Sequence, residues 1–282
     1  MLASTTTSPS ATTPCGFIGL GHLGRPLAQR IASAGYPLLV WDRDAKRTAL
    51  FADTAARIAS SIAEVGAAAE HVGICVVDDA GVIDVCEQLL PAMQSGSRIA
   101  IHSTICPDTC RALAEKAAKR GIAVIDAPTT GIDGAADAGE LAVMIGGEDE
   151  AVAQARPIFE TFGKLILHMG KAGSGLPAKL IHNGLLAANM ALAEHALLAG
   201  EAMGIDRTAL ASLLKFGSGR SYGLELLAGP PRLAAFSHGA ELLLKDVHLL
   251  SNMVGDHHSG QTLCETGLPF LEKVKCDAEM KD

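Results

Sequence analysis

Residues 15–26 read Cys-Gly-Phe-Ile-Gly-Leu-Gly-His-Leu-Gly-Arg-Pro, so a short apolar run leads into three glycines with the spacing GxGxxG. Between a strand and a helix these glycines have separate roles. Gly19 permits a tight turn, Gly21 lets a pyrophosphate approach the backbone, and Gly24 lets the helix pack closely on the strand. The N-terminus of the following helix favours negative charge. We therefore expect a dinucleotide to bind at Gly19, Leu20, Gly21, His22, Leu23 and Gly24.

Around this motif, short apolar segments alternate with alanine-rich helical segments, which is typical of βαβ units and a parallel sheet. Strands are predicted at 15–18, 37–41, 72–77, 98–103, 122–125, 141–145 and 165–168. After residue 170, leucine- and alanine-rich helical periodicity continues to the C-terminus, and a long helix is predicted at 176–203. The fold class expected is α/β, with a doubly wound, Rossmann-type dinucleotide-binding domain followed by an all-helical domain.

A glycine-rich joint at 170–175 marks the expected boundary between the two domains. The prediction is a dinucleotide-binding domain at 15–172 and an all-helical substrate and dimerisation domain at 173–282, joined by the long interdomain helix. Residues 1–14 are rich in Ser, Thr, Ala and Pro and lack the charged start and apolar centre of a secretion signal, so we expect a disordered tail. No apolar run reaches the ~20 residues needed to cross a bilayer, so no membrane partner is expected.

Charge and cysteine content narrow the possible partners. The net charge is −8 and no stretch clusters Lys and Arg, which argues against nucleic acid but leaves anionic small molecules open. Seven cysteines without a CxxC pair do not form a secreted disulfide pattern, and a reducing cytoplasm is expected. Cys106 and Cys110 lack a second pair of ligands, so we expect no metal site.

The residue that ends the second predicted strand bears on the choice of cofactor. Asp42 stands at about the distance where a carboxylate grips the adenosine ribose hydroxyls of NAD. Arg43, the next residue, could instead hold the extra phosphate of NADP while Asp42 turns aside. The sequence favours NAD, and NADP remains open.

Two further segments resemble the β-hydroxyacid dehydrogenase family, which includes 3-hydroxyisobutyrate dehydrogenases and tartronate semialdehyde reductases. The resemblance spans nearly all of the chain after the tail. One segment, 126–147, begins Asp-Ala-Pro-Thr-Thr-Gly-Ile and looks like the family's substrate-binding segment, which usually reads DAPVSGG. Thr130 thus replaces a Ser and Ile132 replaces a Gly. The resemblance implies that Thr130, Gly131 and Ile132 bind the substrate.

The other segment is Gly170-x-x-Gly173-x-Gly175-x-x-x-Lys179-x-x-x-Asn183, which is similar to the family's catalytic segment. Lys179 and Asn183 are four residues apart and share a helix face, so both can point at one substrate atom in the expected cleft between the domains. A hydroxyl that loses a hydride must also lose its proton, so such a site needs one acid/base and one fixed donor. The resemblance implies that Lys179 and Asn183 supply this pair.

Three weaker matches complete the expected cofactor site. Val77 ends one predicted strand, Thr104 follows the end of the next, and Lys245 belongs to a Lys-Asp pair like the one that reaches over the cofactor in the family. By composition alone, polar strand ends and a solvated charge pair are commonplace. His102 stands where the family often has Asp. His182, where the family often has a second Asn, could tune the site or merely pack.

The function predicted is hydride transfer between a nicotinamide cofactor and a small β-hydroxy acid or its semialdehyde or oxo form. The rivals are an imine reductase of the same architecture, in which another residue usually replaces the lysine, and a non-catalytic dinucleotide-binding sensor, which would be expected to lose Lys179. Members of the family form dimers or larger oligomers, and the C-terminal half of this chain is leucine-rich. A homodimer or homotetramer is therefore expected. The apolar groups added by Thr130 and Ile132 favour substrates with an apolar substituent over highly hydroxylated ones.

Overall fold

In the computed structural model, which describes residues 12–132, 134–228 and 237–279, the apolar run before the glycine motif is a central strand of one sheet. The predicted tail at 1–14 lies almost entirely outside the described residues. The strands are β1 (Cys15–Ile18), β2 (Leu38–Trp41), β3 (Arg57–Ile58), β4 (His71–Ile74), β5 (Arg98–Ile101), β6 (Ala123–Asp126), β7 (Thr129–Thr130), β8 (Leu141–Gly146) and β9 (Gly163–Gly170).

Contacts divide the chain into a first unit, Met1–Lys179, and a second unit, Leu180–Asp282. The helices that begin in the first unit are α1 (Gly24–Ser33), α2 (Ala45–Thr48), α3 (Ile62–Ala68), α4 (Asp79–Leu89), α5 (Pro107–Ala118), α6 (Ala135–Ala138), α7 (Asp149–Phe159) and α8 (Gly175–Ala202). The helices of the second unit are α9 (Arg207–Phe216), α10 (Tyr222–Leu227), α11 (Ser237–Val254) and α12 (His258–Glu279). Helix α8 begins in the first unit and continues into the second.

The first six strands are parallel, in the order β3-β2-β1-β4-β5-β6. The chain moves outward from β1 to β3 and then returns to β4 on the other side of β1. The doubly wound fold predicted from the sequence is confirmed. The register aligns Ile18 with both Trp41 and Ile74, and Ile101 with Asp126, so these strands end on one side of the sheet, here named the carboxyl edge. Ligands of such sheets bind where the strand order reverses, here beyond β1 and β4.

The far side of the sheet is not parallel throughout, and the expectation of a parallel sheet is wrong there. Strand β8 is antiparallel to β6 and β7 and parallel to β9. Only residues 131–140 connect β7 to β8, and a parallel connection needs a crossover of about a dozen residues or more, so this short link must reverse the chain direction. The two-residue strands β3 and β7 were not predicted.

Two apolar clusters hold the sheet between helices. Successive residues of β1 face opposite sides, so Phe17 packs in a cluster with Leu27 of α1, and Ile18 packs in another with Val65 of α3. All four residues of β1, β4 and β5 are buried. Each buried large apolar side chain stabilises the fold by ~1.5–3 kcal/mol, so the carboxyl edge is held by a rigid core.

The second unit contains helices only, among its described residues, as the sequence predicts. Their apolar faces share one cluster that includes Leu180 and Leu197 of α8, Leu224 of α10, Val247 of α11 and Leu271 of α12. Side chains cap two of the helix starts: Asp206 accepts from the Ala209 N–H at 2.8 Å and Ser221 from the Leu224 N–H at 3.1 Å. Such a cap stabilises a helix by about 1 kcal/mol. None of the helices in the described segments meets the length and hydropathy needed to span a membrane.

Candidate active site

The glycine loop between β1 and α1 has the shape that the GxGxxG spacing predicts. Gly19 adopts φ +93°, and a Cβ there would collide with the carbonyl oxygen of Cys75. A Cβ at Gly24 would collide with the carbonyl oxygen of Gly19, so the start of α1 packs against the loop as closely as backbone allows. At Gly21 the nearest atom to a Cβ would be Arg47 Nη1, at 3.6 Å. Two glycines are thus required by packing, and the third leaves an open backbone surface that fits a pyrophosphate.

Asp42 is part of the same loop rather than a free carboxylate. Its Oδ2 accepts a hydrogen bond from the Leu20 N–H at 2.6 Å, and its Oδ1 accepts one from the Asp44 N–H at 2.8 Å. The side chain is 4% exposed. Turning Asp42 aside, as the NADP alternative requires, would break both bonds. Each carboxylate oxygen can still accept a further bond, so the position fits a ribose hydroxyl donor.

Arg47 is the cation that approaches Asp42. Its Nη1 lies 3.6 Å from Asp42 Oδ2, and its guanidinium is half-exposed beside the open side of Gly21. Arg43 is exposed on the same connection. The end of β2 therefore presents a fixed carboxylate that is partly neutralised by Arg47, with a second arginine nearby in sequence.

The other expected cofactor residues of the first unit lie in loops at the carboxyl edge. The predicted strands at 72–77 and 98–103 end earlier than expected, at Ile74 and Ile101. Beyond those points the Val76 N–H donates to Ser103 Oγ at 2.8 Å instead of to a neighbouring strand. This bond ties together the loops that carry Val77, which is exposed, and Thr104, which is half-buried. The structure thus brings the glycine loop, Asp42, Val77 and Thr104 to one edge.

His102 belongs to the core and not to the proton chemistry. It is buried between Phe17, on which its ring stacks at 5.8 Å, and two further phenylalanines. Its Nδ1 lies 2.9 Å from the Ala127 carbonyl oxygen, and a carbonyl only accepts, so Nδ1 carries the proton. Burial lowers the pKa of His102 to about 4. The ring is therefore neutral near pH 7.

Asp126, the first residue of the substrate-like segment, ties that segment to the start of α8. Its buried carboxylate accepts hydrogen bonds from the Gly173 N–H at 2.6 Å and the Leu176 N–H at 2.9 Å. Burial raises the pKa of Asp126, and the N–H donors act in the opposite direction. The carboxylate therefore fixes the glycine joint to the end of β6.

Two glycines of the sequence motifs are explained by the close packing around this carboxylate. A Cβ at Gly146 would collide with the Asp126 carboxylate, and a Cβ at Gly175 would collide with the carbonyl oxygen of Met144. Segments that are far apart in sequence, around 126, 146 and 175, thus converge with no room for side chains. The matching glycines serve the joint, and none of these contacts requires a ligand.

The expected substrate residues follow one another at the end of β7 and in the turn after it. Thr130 is half-buried, and a Cβ at Gly131 would lie 2.7 Å from both Ala135 Cβ and Leu141 Cδ2, so packing requires this glycine. Ile132 is 64% exposed. Most of the surface of this isoleucine is therefore left uncovered by the described residues.

Lys179 and Asn183 lie on consecutive turns near the start of α8, four residues apart, as predicted. Lys179 is half-buried, and Asn183 is 7% exposed. Their spacing places them on one helix face. The long helix runs at 175–202, one residue earlier at each end than the prediction.

Asn183 is held by a network within the second unit. Its Nδ2 donates to Asp246 Oδ2 at 2.7 Å, and its Oδ1 lies 3.0 Å from Nδ1 of His182. Lys245 Nζ lies 3.2 Å from Asp246 Oδ1 without the geometry of a hydrogen bond. Asp246 is 5% exposed, so the late Lys-Asp pair is not a solvated charge pair.

Sequence reasoning did not predict the contacts of three side chains that the structure ties to the expected site residues. Arg47 pairs with Asp42, Asp126 fixes the start of α8, and Asp246 binds Asn183. Arg47 could have been suspected as a cation one turn after Asp42. The partners of the two aspartates are 50 and 63 residues away, and no local spacing signals such contacts.

Comparison with known proteins places the chain in a family. The model of the NAD binding domain of 6-phosphogluconate dehydrogenase matches residues 14–170, and that of the NAD-binding domain of NADP-dependent 3-hydroxyisobutyrate dehydrogenase matches residues 173–280. The NAD-dependent L-serine dehydrogenase of Pseudomonas aeruginosa is 35% identical over 255 residues, which cover 83% of this chain and 82% of that protein. The chain belongs to the β-hydroxyacid dehydrogenase family. The resemblance seen in the sequence is confirmed, and this family member is an NAD(P)-dependent oxidoreductase that acts on a CH–OH group.

Solved structures share the fold of this β-hydroxyacid dehydrogenase. The Mycobacterium tuberculosis 3-hydroxyisobutyrate dehydrogenase, solved with L-serine, superposes with a TM-score of 0.84 at 24% identity and covers 95% of each chain. An imine reductase from Pseudomonas sp. superposes with a TM-score of 0.65 at 20% identity, over 93% of this chain and 99% of that chain. At such identities the likeness shows the fold alone. The relatives at higher identity favour the hydroxyacid reaction over imine reduction.

Proposed function

We propose that Lys179 is the general acid/base and Asn183 the fixed hydrogen-bond donor for hydride transfer between NAD(H) and a small β-hydroxy acid or its semialdehyde or oxo form. The observation that carries this assignment is the placement of both side chains on consecutive turns of α8. The start of that helix is fixed by the Asp126 carboxylate. A precisely held helix start is what positions an acid/base group reproducibly.

When bound, the nicotinamide ring would accept the hydride from the alcohol carbon, or donate it to the carbonyl carbon in the reverse direction. In the oxidative direction, neutral Lys179 Nζ takes the proton of the substrate hydroxyl as the C–H bond breaks. An Asn183 N–H stabilises the oxygen as it becomes a carbonyl oxygen. In reduction, the lysine ammonium returns that proton to the oxygen.

For the cofactor we propose a preference for NAD, with the pyrophosphate on residues 19–24 and the adenosine ribose at Asp42. The support is the open surface at Gly21 and the fixed, buried carboxylate of Asp42. Arg43, Val77, Thr104 and Lys245 are proposed as further cofactor contacts. For the first three, the support is their position on the connections at the carboxyl edge.

For the substrate we propose a 3-hydroxy acid whose carboxylate is bound by the turn of Thr130, Gly131 and Ile132. Thr130 supplies a hydroxyl, and the backbone N–H groups of the turn remain donors whatever their side chains are. L-Serine and 3-hydroxyisobutyrate, which name the similar proteins, are both 3-hydroxy acids with one substituent at carbon 2. The exposed Ile132 favours an apolar substituent there.

The proposal extends to assembly, domains and compartment. We propose a homodimer or homotetramer, supported by large apolar side chains on α8 that are at least 45% exposed, namely Ile181, Leu185, Leu192 and Leu198. Residues 15–172 and 173–282 are proposed as the dinucleotide-binding and substrate domains, with support from the two family matches. A cytoplasmic location is supported by seven cysteines that are all free thiols. Light scattering during gel filtration measures the number of subunits.

Substitution of the lysine tests the function. Lys179→Ala should lower kcat with NAD and L-serine or 3-hydroxyisobutyrate by about 10²–10⁴-fold, because a general acid/base contributes that much. NADH affinity, from fluorescence titration, should stay within a few-fold of the native value, since the lysine acts on the substrate. Lys171→Ala, an exposed lysine of the glycine joint, is the matched control and should keep full activity. Substantial turnover by Lys179→Ala would overturn the assigned role.

A further inference from the structure

Asp246 is a buried carboxylate that has no part in the proposed hydride and proton transfer. It is 5% exposed on α11, and its Oδ1 accepts no hydrogen bond among the described residues. Its compensating partners are Lys245 Nζ at 3.2 Å and the Asn183 amide at 2.7 Å. A carboxylate buried in this way is destabilising unless it is paired, so its presence on α11 calls for an explanation other than packing.

The chemistry of the pair decides how Asn183 is oriented. An ionised carboxylate only accepts hydrogen bonds, so the Asn183 amide must turn its Nδ2 toward Asp246 and its Oδ1 away. Oδ1 is then the atom that meets Nδ1 of His182 at 3.0 Å. An amide oxygen also only accepts, so Nδ1 of His182 must carry a proton. When that ring is neutral, its lone pair is therefore on Nε2.

We propose that Asp246 is the positioning residue of this site: it orients the Asn183 amide and, through Asn183, holds His182 in the Nδ1-protonated tautomer. Asn183 keeps one N–H beyond the one given to Asp246, and that N–H is the donor available to a substrate oxygen. The part of the proposal that concerns catalysis rests on the proposed role of Asn183. The part that concerns the tautomer depends on the second unit alone.

Close packing of α8 on α11 makes this arrangement rigid. A Cβ at Gly184, the neighbour of Asn183, would lie 2.5 Å from Leu250 Cδ2, and Leu250 is one turn after Asp246 on α11. The glycine thus brings the two helices within reach of a direct side-chain hydrogen bond. Without the carboxylate, the amide can rotate by half a turn and present its oxygen where the N–H had been.

The first test is spectroscopic and needs no turnover. In protein labelled with ¹⁵N-histidine, at pH 8, the resonance absent from His182→Gln identifies His182, and its two nitrogen shifts report which one is protonated. The native protein should show the proton on Nδ1. In Asp246→Ala the proton should move to Nε2 in part or in full, because the amide is no longer oriented. Glu241→Gln, an exposed acid on the same helix, is the control and should leave the tautomer unchanged. A native His182 with its proton on Nε2 would overturn the proposal.

The second test separates positioning from folding. Asp246→Asn should lower kcat with NAD and L-serine about tenfold or more while the KM for NAD stays within about twofold, since only the donor to the substrate is misplaced. The double substitution Asn183→Asp with Asp246→Asn restores the hydrogen bond with its direction reversed. The double variant should have a higher Tm than Asp246→Asn alone, but its kcat should stay low. A kcat unchanged in Asp246→Asn, or restored in the double variant, would contradict the positioning role of Asp246.

If the native protein turns over neither L-serine nor 3-hydroxyisobutyrate, the proposed function fails. The histidine spectrum still decides whether Asp246 sets the tautomer of His182.

Discussion

The carboxylate of Asp126 accepts a hydrogen bond from the backbone N–H of Leu176 at 2.9 Å, across 50 residues of sequence. This bond anchors the first turn of the helix that carries Lys179. The same carboxylate also holds the Gly173 N–H. The position of the proposed acid/base group is therefore set from the end of strand β6.

Asp126→Asn should destabilise the fold by about 2–3 kcal/mol, because the new NH₂ group faces backbone donors and leaves buried N–H groups without an acceptor. Urea unfolding of the two proteins measures the difference. Asp108→Asn, which alters an exposed acid on α5, should change the free energy of unfolding by less than about 0.5 kcal/mol. Equal stabilities for Asp126→Asn and the native protein would show that the joint does not depend on this carboxylate.

Cofactor preference should respond to Arg47 more than to Arg43. Arg47→Ala removes the cation that partly neutralises Asp42 at 3.6 Å, so a 2′-phosphate should be repelled more strongly. The ratio of kcat/KM for NAD to kcat/KM for NADP should rise about fivefold, which corresponds to ~1 kcal/mol at a solvent-exposed site. Arg43→Ala is the matched comparison.

Titration of both variants with NADH and NADPH provides the decisive readout. The native protein should bind NADH more tightly than NADPH. If Arg47→Ala leaves the ratio unchanged while Arg43→Ala raises it, then Arg43 is the residue that meets the phosphate. A native preference for NADPH would show that Asp42 does not control the pocket.

Stability should fall in mild acid because of His102. Its folded-state pKa is lowered by burial to about 4, whereas an exposed histidine has a pKa near 6.5. Between these values the unfolded chain binds a proton that the folded protein does not, so the unfolded state is favoured as the pH falls. Above pH ~6.5 this difference in proton binding does not lower the free energy of unfolding. By pH ~4 it has lowered the free energy of unfolding by about 3 kcal/mol.

His102→Phe should flatten this pH dependence, since the variant has no ring nitrogen to protonate. Urea unfolding at pH 8 and at pH 5 measures the slope for each protein. His257→Gln changes an exposed histidine and should keep the native slope. An unaltered slope in His102→Phe would assign the acid sensitivity to another group, of which buried His71 is the first candidate, because burial also lowers its pKa.

Substrate ranking should depend on Ile132, the exposed apolar residue of the turn after β7. We expect 3-hydroxy acids or semialdehydes with an apolar substituent to show a higher kcat/KM than glycerate or tartronate semialdehyde. Each methylene brought into apolar contact contributes ~0.8 kcal/mol, so a few contacts shift preference ten- to a hundred-fold. Ile132→Gly should reduce that preference. An unchanged ranking would place the side chain outside the substrate site.

The sequence predicted the features that depend on local spacing. The glycine loop, Asp42 at the end of β2 and the shared helix of Lys179 and Asn183 each follow from short-range pattern, and the structure contains all three arrangements. Strand ends were overestimated at 75–77 and 102–103. Those residues are apolar or β-branched in part, but the Val76 N–H donates to the loop side chain of Ser103 and not to a neighbouring strand.

The sequence pattern could not predict which polar groups pair when they are far apart in the chain. Asp246 has the same sequence context as a surface acid, and only the approach of α8 at Gly184 makes it a partner of Asn183. The antiparallel pairing of β7 with β8 likewise follows from the shortness of the connection, which periodicity does not report. His102 looks polar in sequence, yet its aromatic neighbours place it in the core.

The bond from the Leu20 N–H to Asp42 has a consequence for the thermodynamics of cofactor binding. The proposed pyrophosphate surface and the proposed ribose carboxylate are one piece, joined by a hydrogen bond within the protein. An incoming dinucleotide does not have to order this loop, and the loss of conformational entropy on binding falls on the ligand's own rotatable bonds. A shortened nucleotide such as AMP has fewer rotatable bonds that lose freedom on binding. Its binding free energy per non-hydrogen atom should therefore be close to that of the full cofactor.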